Sequence, residues 1–168
     1  MTDFDKAVAV VLRHEGGFYH DPVTGEIVNH GITQRFLKLI GIDADETYIR
    51  NLTEADAAVL YRKYFWEPYG VGRLDDQRLA TKFLDILVNT DPTAVLRALW
   101  AALVVDGALK IGTTIGSVTA QAARRCHVDR VLELFQILLS DHYQQVVQAN
   151  PRLAGKLQGW LARLHEAV

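Results

Sequence analysis

A glutamate followed by two glycines, Glu15-Gly16-Gly17, ends the first apolar-striped segment of the chain. A carboxylate in the last turn of a helix faces the negative end of the helix dipole, which disfavours its charged form. The rings of Phe18 and Tyr19 would add apolar cover and favour the protonated form further. A carboxyl group protonated near neutral pH is what a general acid for glycosidic cleavage requires. Glu15 is therefore either such an acid, beside glycines that let a sugar chain approach the backbone, or a solvated acid before a helix C-cap.

Three histidines, His14, His20 and His30, surround this motif and raise the question of a metal. A zinc helix of the H-E-x-x-H type needs a second histidine three residues after the glutamate, but Phe18 stands there. The single cysteine of the chain cannot supply a pair of thiolate ligands or an internal disulfide. We therefore predict no metal and no cofactor, with His30 as either a hydrogen-bonding residue of a sugar cleft or a packed turn residue.

The segments that must position Glu15 are mostly helical. Apolar residues at helical spacing, with capping residues before them and glycine or proline after them, predict helices. Helices are predicted from Phe4 to the glycine pair, over 34–40 after the cap Thr33, from Thr53 to about Pro68, over 77–89, from Asp91, over 128–149 and over 152–167. Residues 18–32 are predicted to form an irregular or hairpin loop, residues 106–117 a loop, and Ser117 the cap of a short helix. The fold class is therefore mainly α, in a single domain over 1–168.

Two groups of residues on these helices could reach a sugar. Sugar rings stack on aromatic faces, so Trp66 or one of its aromatic neighbours could line a cleft, although such residues are also typical of a core. Asp85 and Asn89 lie four positions apart on one helix face, so they could point into the cleft or brace the Glu15 loop.

The overall composition excludes several classes of protein. The formal net charge is −2, so there is no basic field to attract nucleic acid. The start of the chain lacks the basic leader of a signal peptide, and no apolar run reaches the ~18 residues of a membrane span. We expect a protein made in the cytoplasm without stable membrane insertion, which would need a holin or a dedicated secretion machine to reach a substrate outside the cytoplasm.

Several motifs, in order along the chain, resemble those of glycoside hydrolase family 108, whose members are N-acetylmuramidases. They are Glu15-Gly16-Gly17-Phe18, Asp21-Pro22, Asn29-His30-Gly31-Ile32-Thr33, Tyr61–Trp66, Phe83–Asn89, Val105-Asp106-Gly107, Asn150-Pro151 and Gly159–Arg163. The resemblance implies a lysozyme-like helical fold with a glycan cleft and Glu15 as the catalytic acid. It also implies that residues 1–90 form the catalytic region and that residues 91–168 resemble the family's peptidoglycan-binding-like segment.

The turn after Glu15 departs from the family pattern, because Thr24 stands where the second acid is expected. Glu26 is the nearest replacement and Asp21 the next, and the alternative for Glu26 is an exposed turn acid. The segment after Val105 is also longer than the family's compact turn. The residues predicted to bind substrate are Gly16, Gly17, Tyr19, His30, Thr33, Trp66 and Asn89.

The sequence thus predicts a lysozyme-type muramidase that acts on bacterial peptidoglycan in the periplasm or cell wall, as a phage endolysin or a secreted effector. The missing second acid keeps a lytic transglycosylase open, since that chemistry needs a single glutamate. A catalytically inactive peptidoglycan-binding or assembly module is the third alternative.

Overall fold

The computed structural model describes residues 2–22, 24–110 and 123–168. The described α-helices are α1 Phe4–Glu15, α2 Gln34–Leu39, α3 Glu46–Arg50, α4 Glu54–Tyr61, α5 Gln77–Asn89, α6 Pro92–Val105, α7 Val128–Ala149 and α8 Ala154–His165. A π-helical turn, Arg62–Trp66, continues α4, and short 3-10 turns cover Val71–Arg73 and Pro151–Leu153. The prediction of a mainly α fold is confirmed.

A small antiparallel sheet follows α1, with strands β1 Tyr19–His20, β2 Ile27–Asn29 and β3 Ile32–Thr33 in the order β1-β2-β3. Tyr19 pairs with Val28, and Asn29 pairs with Ile32. The loop predicted after the first helix is therefore a pair of hairpins.

Side-chain caps explain where several of these elements begin. Asp3 accepts hydrogen bonds from the backbone at the start of α1, and Gly16 ends that helix with a φ of 66°. Thr33 caps α2 and Asp76 caps α5, each through the backbone N–H three residues on. Such caps satisfy backbone donors that the first turn of a helix leaves unpaired.

The core lies between α1 and α5 on one side and between α6 and α7 on the other, with α8 packed on α7. Phe83 of α5 and Phe135 of α7 are both buried and lie 6.3 Å apart at their ring centroids. Among the described helices, none combines the length and apolar character that a bilayer crossing requires. Most of the loop predicted for 106–117, and the helix predicted after Ser117, lie outside the described residues.

Candidate active site

Glu15 lies at the end of α1 with its side chain mostly covered. The side chain is 14% exposed, and its Oε1 atom is buried. The backbone of Gly31 packs directly against it. A Cβ atom at position 31 would lie 2.7 Å from both Cγ and Cδ of Glu15. Only glycine fits at that position.

The turn between β2 and β3 brings Gly31 to this place. His30 and Gly31 are its two central residues, with φ values of 49° and 76°. Two central residues with positive φ are typical of a type I′ hairpin turn, whose twist matches the flanking strands. The hydroxyl group of the buried Tyr61 donates a hydrogen bond of 2.7 Å to the carbonyl oxygen of His30. Burial, followed by the negative charge of Glu15, raises the pKa of Tyr61 well above its usual value of 10.0, so the hydroxyl stays a donor.

Arg163 of α8 supplies the charged partner of Glu15. Its Nη2 atom lies 2.8 Å from Glu15 Oε1. The same nitrogen donates to the backbone oxygen and to Oδ1 of Asp85, at 3.0 and 2.8 Å. A guanidinium nitrogen of this kind has two hydrogens, so the contact with Glu15 is an ion pair rather than an aligned hydrogen bond, and Oε1 accepts none. The sequence predicted apolar cover for this carboxyl group, whereas the structure places a guanidinium beside it.

Asp85 holds Arg163 in place. Its side chain has no exposed surface, and its Oδ1 atom also accepts from Arg163 Nε and contacts Nδ1 of His14. Burial alone would lower the pKa of Arg163, but the carboxylates of Glu15 and Asp85 raise it overall, so Arg163 is charged at every working pH. Of the two roles open to Asp85, the structure shows bracing.

His14 connects this cluster to the residue that follows α8. Its Nδ1 atom lies 2.8 Å from Asp85 and its Nε2 atom 2.7 Å from Glu166. Glu166 also pairs with Arg13. His14 therefore takes part in a hydrogen-bonded cluster that joins α1, α5 and the end of α8.

Tyr19, on β1, is influenced electrostatically by all three predicted catalytic acids. The residue is 43% exposed. Partial burial raises the pKa of its hydroxyl, and the negative charges of Glu15, Asp21 and Glu26 raise it further. These three carboxylates are therefore near enough to affect one phenol on a partly exposed residue.

Asp21 and Glu26 differ in how far they are engaged. Asp21 is buried, and its Oδ2 atom accepts a 2.6 Å hydrogen bond from Nζ of Lys156, while its Oδ1 atom accepts from the backbone of Thr24. Glu26 is half-buried, and its backbone pairs with Asp21 in the turn. The carboxylate of Asp21 is thus held by two hydrogen bonds, whereas Glu26 is hydrogen-bonded to Asp21 through its backbone.

The other predicted residues occupy different surroundings. Gly16 and Gly17 are exposed, with open space where a Cβ atom would stand. Thr33 and Asn89 both line a groove beside α2. Trp66 is only 8% exposed and packs edge-on against Phe4 in the core, so the expectation that it lines a cleft is not supported by its position.

Sequence reasoning assigned no role to Arg163 and none to Gly31 as a packing surface. Both stand in motifs quoted for the family resemblance, but spacing along the chain does not show that the end of α8 meets the end of α1. Asn29, from the same motif as Gly31, is buried and donates to the carbonyl oxygens of Ile49 and Leu52 at the end of α3.

Residues 8–90 match the family model described as Glycosyl hydrolase 108. This stretch of the chain belongs to that glycoside hydrolase family. The match contains Glu15, Asp21, Glu26 and Asp85, whereas Arg163 and Lys156 lie beyond it. Among curated proteins, none matches the chain.

A solved structure described as "Structure of Brucella abortus SagA" shares the fold of this chain, with a TM-score of 0.75. The two are 21% identical, over 96% of this chain and 88% of that one. The similarity therefore covers most of the chain and extends well past the residues matched by the model of glycosyl hydrolase 108.

Proposed function

We propose that this glycosyl hydrolase 108 chain is a muramidase that cleaves the glycan strand of bacterial peptidoglycan, with Glu15 as the general acid. The observation that carries the proposal is the position of Glu15, which is held between Gly31 and Arg163 next to the exposed ring of Tyr19. Proton donation to a bound substrate requires a positioned carboxyl group that carries its proton when the substrate binds.

In the proposed reaction, Glu15 donates its proton to the glycosidic oxygen as the bond from that oxygen to the sugar C1 breaks. Oε1 is buried beside Arg163, so Oε2 is the oxygen available for this transfer. A water molecule attacks C1 and gives its proton to a second carboxylate. Glu26 is the first candidate for that role because Asp21 already accepts from Lys156 and Thr24.

Substitution of Glu15 tests the proposal directly. We expect Glu15→Gln to lower the rate of peptidoglycan solubilisation by at least about 100-fold, as expected for the loss of a general acid. Glu67→Gln, which changes an exposed glutamate, is the matched control. Equal rates for the Glu15 variant and the wild-type protein would remove Glu15 from the mechanism, and a wild-type protein that binds peptidoglycan without cutting it would favour the inactive binding module.

A lytic transglycosylase is the second candidate, and the engagement of Asp21 by Lys156 favours it. That reaction needs one acid, because an internal sugar hydroxyl replaces water as the nucleophile. Mass spectrometry of the digest separates the two reactions. Reducing ends show hydrolysis and 1,6-anhydro ends show transglycosylation.

A further inference from the structure

A groove of about 720 Å³ opens beside α2, between the π-helical turn and the end of α5. Its apolar wall includes Phe36, Phe65, Leu87 and Val88. A volume of this order fits a peptide of a few residues or a drug-sized molecule.

Two residues relate the groove to the candidate active site. Thr33 lines it and follows Gly31, which packs on Glu15, by two residues. Asn89 lines it and also lines a second cavity of about 630 Å³, which is bordered by His14 and Arg163. The groove therefore lies next to a cavity that Arg163, the charged partner of Glu15, borders.

The rim of the groove is cationic. Arg35 and Lys38 stand three positions apart on α2, and both are exposed. Neither forms an ion pair with an acid among residues 2–22, 24–110 and 123–168, and none of the described lining residues is acidic. Cations without a protein partner beside an apolar wall are complementary to a ligand that carries both carboxylates and small apolar groups.

We propose that this groove binds the acidic stem peptide that peptidoglycan carries on its muramyl sugars. The inference rests on the proposed function, since the glycan strand at Glu15 is what brings the peptide to the groove. Arg35 and Lys38 pair with the free carboxylates of the peptide, and the apolar wall contacts its alanine methyl groups. The groove thereby makes the enzyme prefer strands that carry stem peptides.

The test compares intact peptidoglycan with the same glycan strands after an amidase has removed the stem peptides. We expect the double variant Arg35→Gln/Lys38→Gln to lose kcat/KM on peptide-bearing strands at least fivefold more than on bare strands. The control Lys6→Gln/Arg152→Gln makes the same change in net charge at exposed positions outside the groove. Equal losses of the groove variant on both substrates would overturn the proposal.

A binding measurement keeps the inference separate from the proposed activity. Soluble muramyl tetrapeptide is titrated into the Glu15→Gln protein, with and without the two groove substitutions, and followed by NMR chemical shifts. We expect those substitutions to raise Kd at least fivefold, and an unchanged Kd would overturn the proposal. A wild-type protein that cuts neither kind of strand would refute the proposed function, while the titration would still report on the groove.

Discussion

Glu15 is held by two contacts of different kinds. The backbone of Gly31 limits the space around its carbon atoms, and the guanidinium of Arg163 faces its buried oxygen. Arg163 is itself fixed by the buried Asp85. Removing one partner of a buried ion pair costs about 3–5 kcal/mol, so the cluster resists rearrangement.

Gly31→Ala should displace Glu15. The new methyl group would clash with the hydroxyl group of Tyr61 and would stand 2.7 Å from the carboxyl carbon of Glu15, in a backbone with a φ of 76°. We expect peptidoglycan-cleaving activity to fall at least tenfold, together with a loss of about 1–2 kcal/mol in the free energy of unfolding from the left-handed backbone alone.

Gly41→Ala is the matched control for this substitution. Gly41 has a φ of 85°, but nothing lies within 4 Å of the added Cβ atom. Both variants should therefore lose stability in denaturant titrations. Only the Gly31 variant should have a lower activity per correctly folded molecule. Equal specific activities would show that the close packing of Gly31 against Glu15 and Tyr61 is unimportant for cleavage.

The helices differ in how well the sequence predicts them. Local signals were sufficient for α5 and α7, whose predicted ranges 77–89 and 128–149 match the structure. The short helix α3 is not predicted, because five residues carry no apolar stripe. Asn29, whose amide group donates a hydrogen bond to a carbonyl oxygen near the end of α3, is also remote in the chain.

The candidate site could be predicted only in part from the sequence, because part of it depends on contacts between residues that are far apart in the chain. Glu15 and the glycines beside it form a local pattern, whereas Arg163 meets Glu15 through the packing of α8. The change from α4 into a π-helical turn, which places Trp66 in the core, also depends on packing.

The junction between α5 and α8 makes a testable contribution to stability. Lys82 of α5 is buried, and its Nζ atom donates to the carbonyl oxygen of Arg163 at 2.9 Å. Burial lowers the pKa of Lys82 from 10.5, although nearby Asp85 and Glu166 oppose that effect. The folded chain therefore binds this proton less tightly than the unfolded chain, and stability rises with pH between the lowered pKa and 10.5.

Lys82→Met removes this dependence while keeping an unbranched side chain. We expect the difference in free energy of unfolding, wild type minus variant, to increase from pH 8 to pH 10.5, by at most about 1.4 kcal/mol per pH unit. Denaturant titrations across this range measure it, with the exposed Lys6→Met as the control. Parallel pH curves for wild type and Lys82→Met would contradict the expected lower pKa.

At the scale of the whole molecule, helices from opposite ends of the described chain meet at the candidate site. Arg163 reaches Glu15 and Lys156 reaches Asp21, both from α8. The family model covers only 8–90, but the structural similarity covers 96% of the chain. The division into a catalytic region, residues 1–90, and a wall-binding-like region, residues 91–168, stays a prediction, and any test of it must allow for what α8 adds to the site.

The pairing of Glu15 with Arg163 has a kinetic consequence. Contacts between distant positions form slowly, because a long loop must close before they do. After dilution from denaturant, circular dichroism should recover before the ability to cut peptidoglycan does. Simultaneous recovery of the two signals would mean that the slowly formed contact between Glu15 and Arg163 is not needed for cleavage. A lag would mean that a newly made molecule passes through a helical but harmless stage before it becomes able to damage a cell wall.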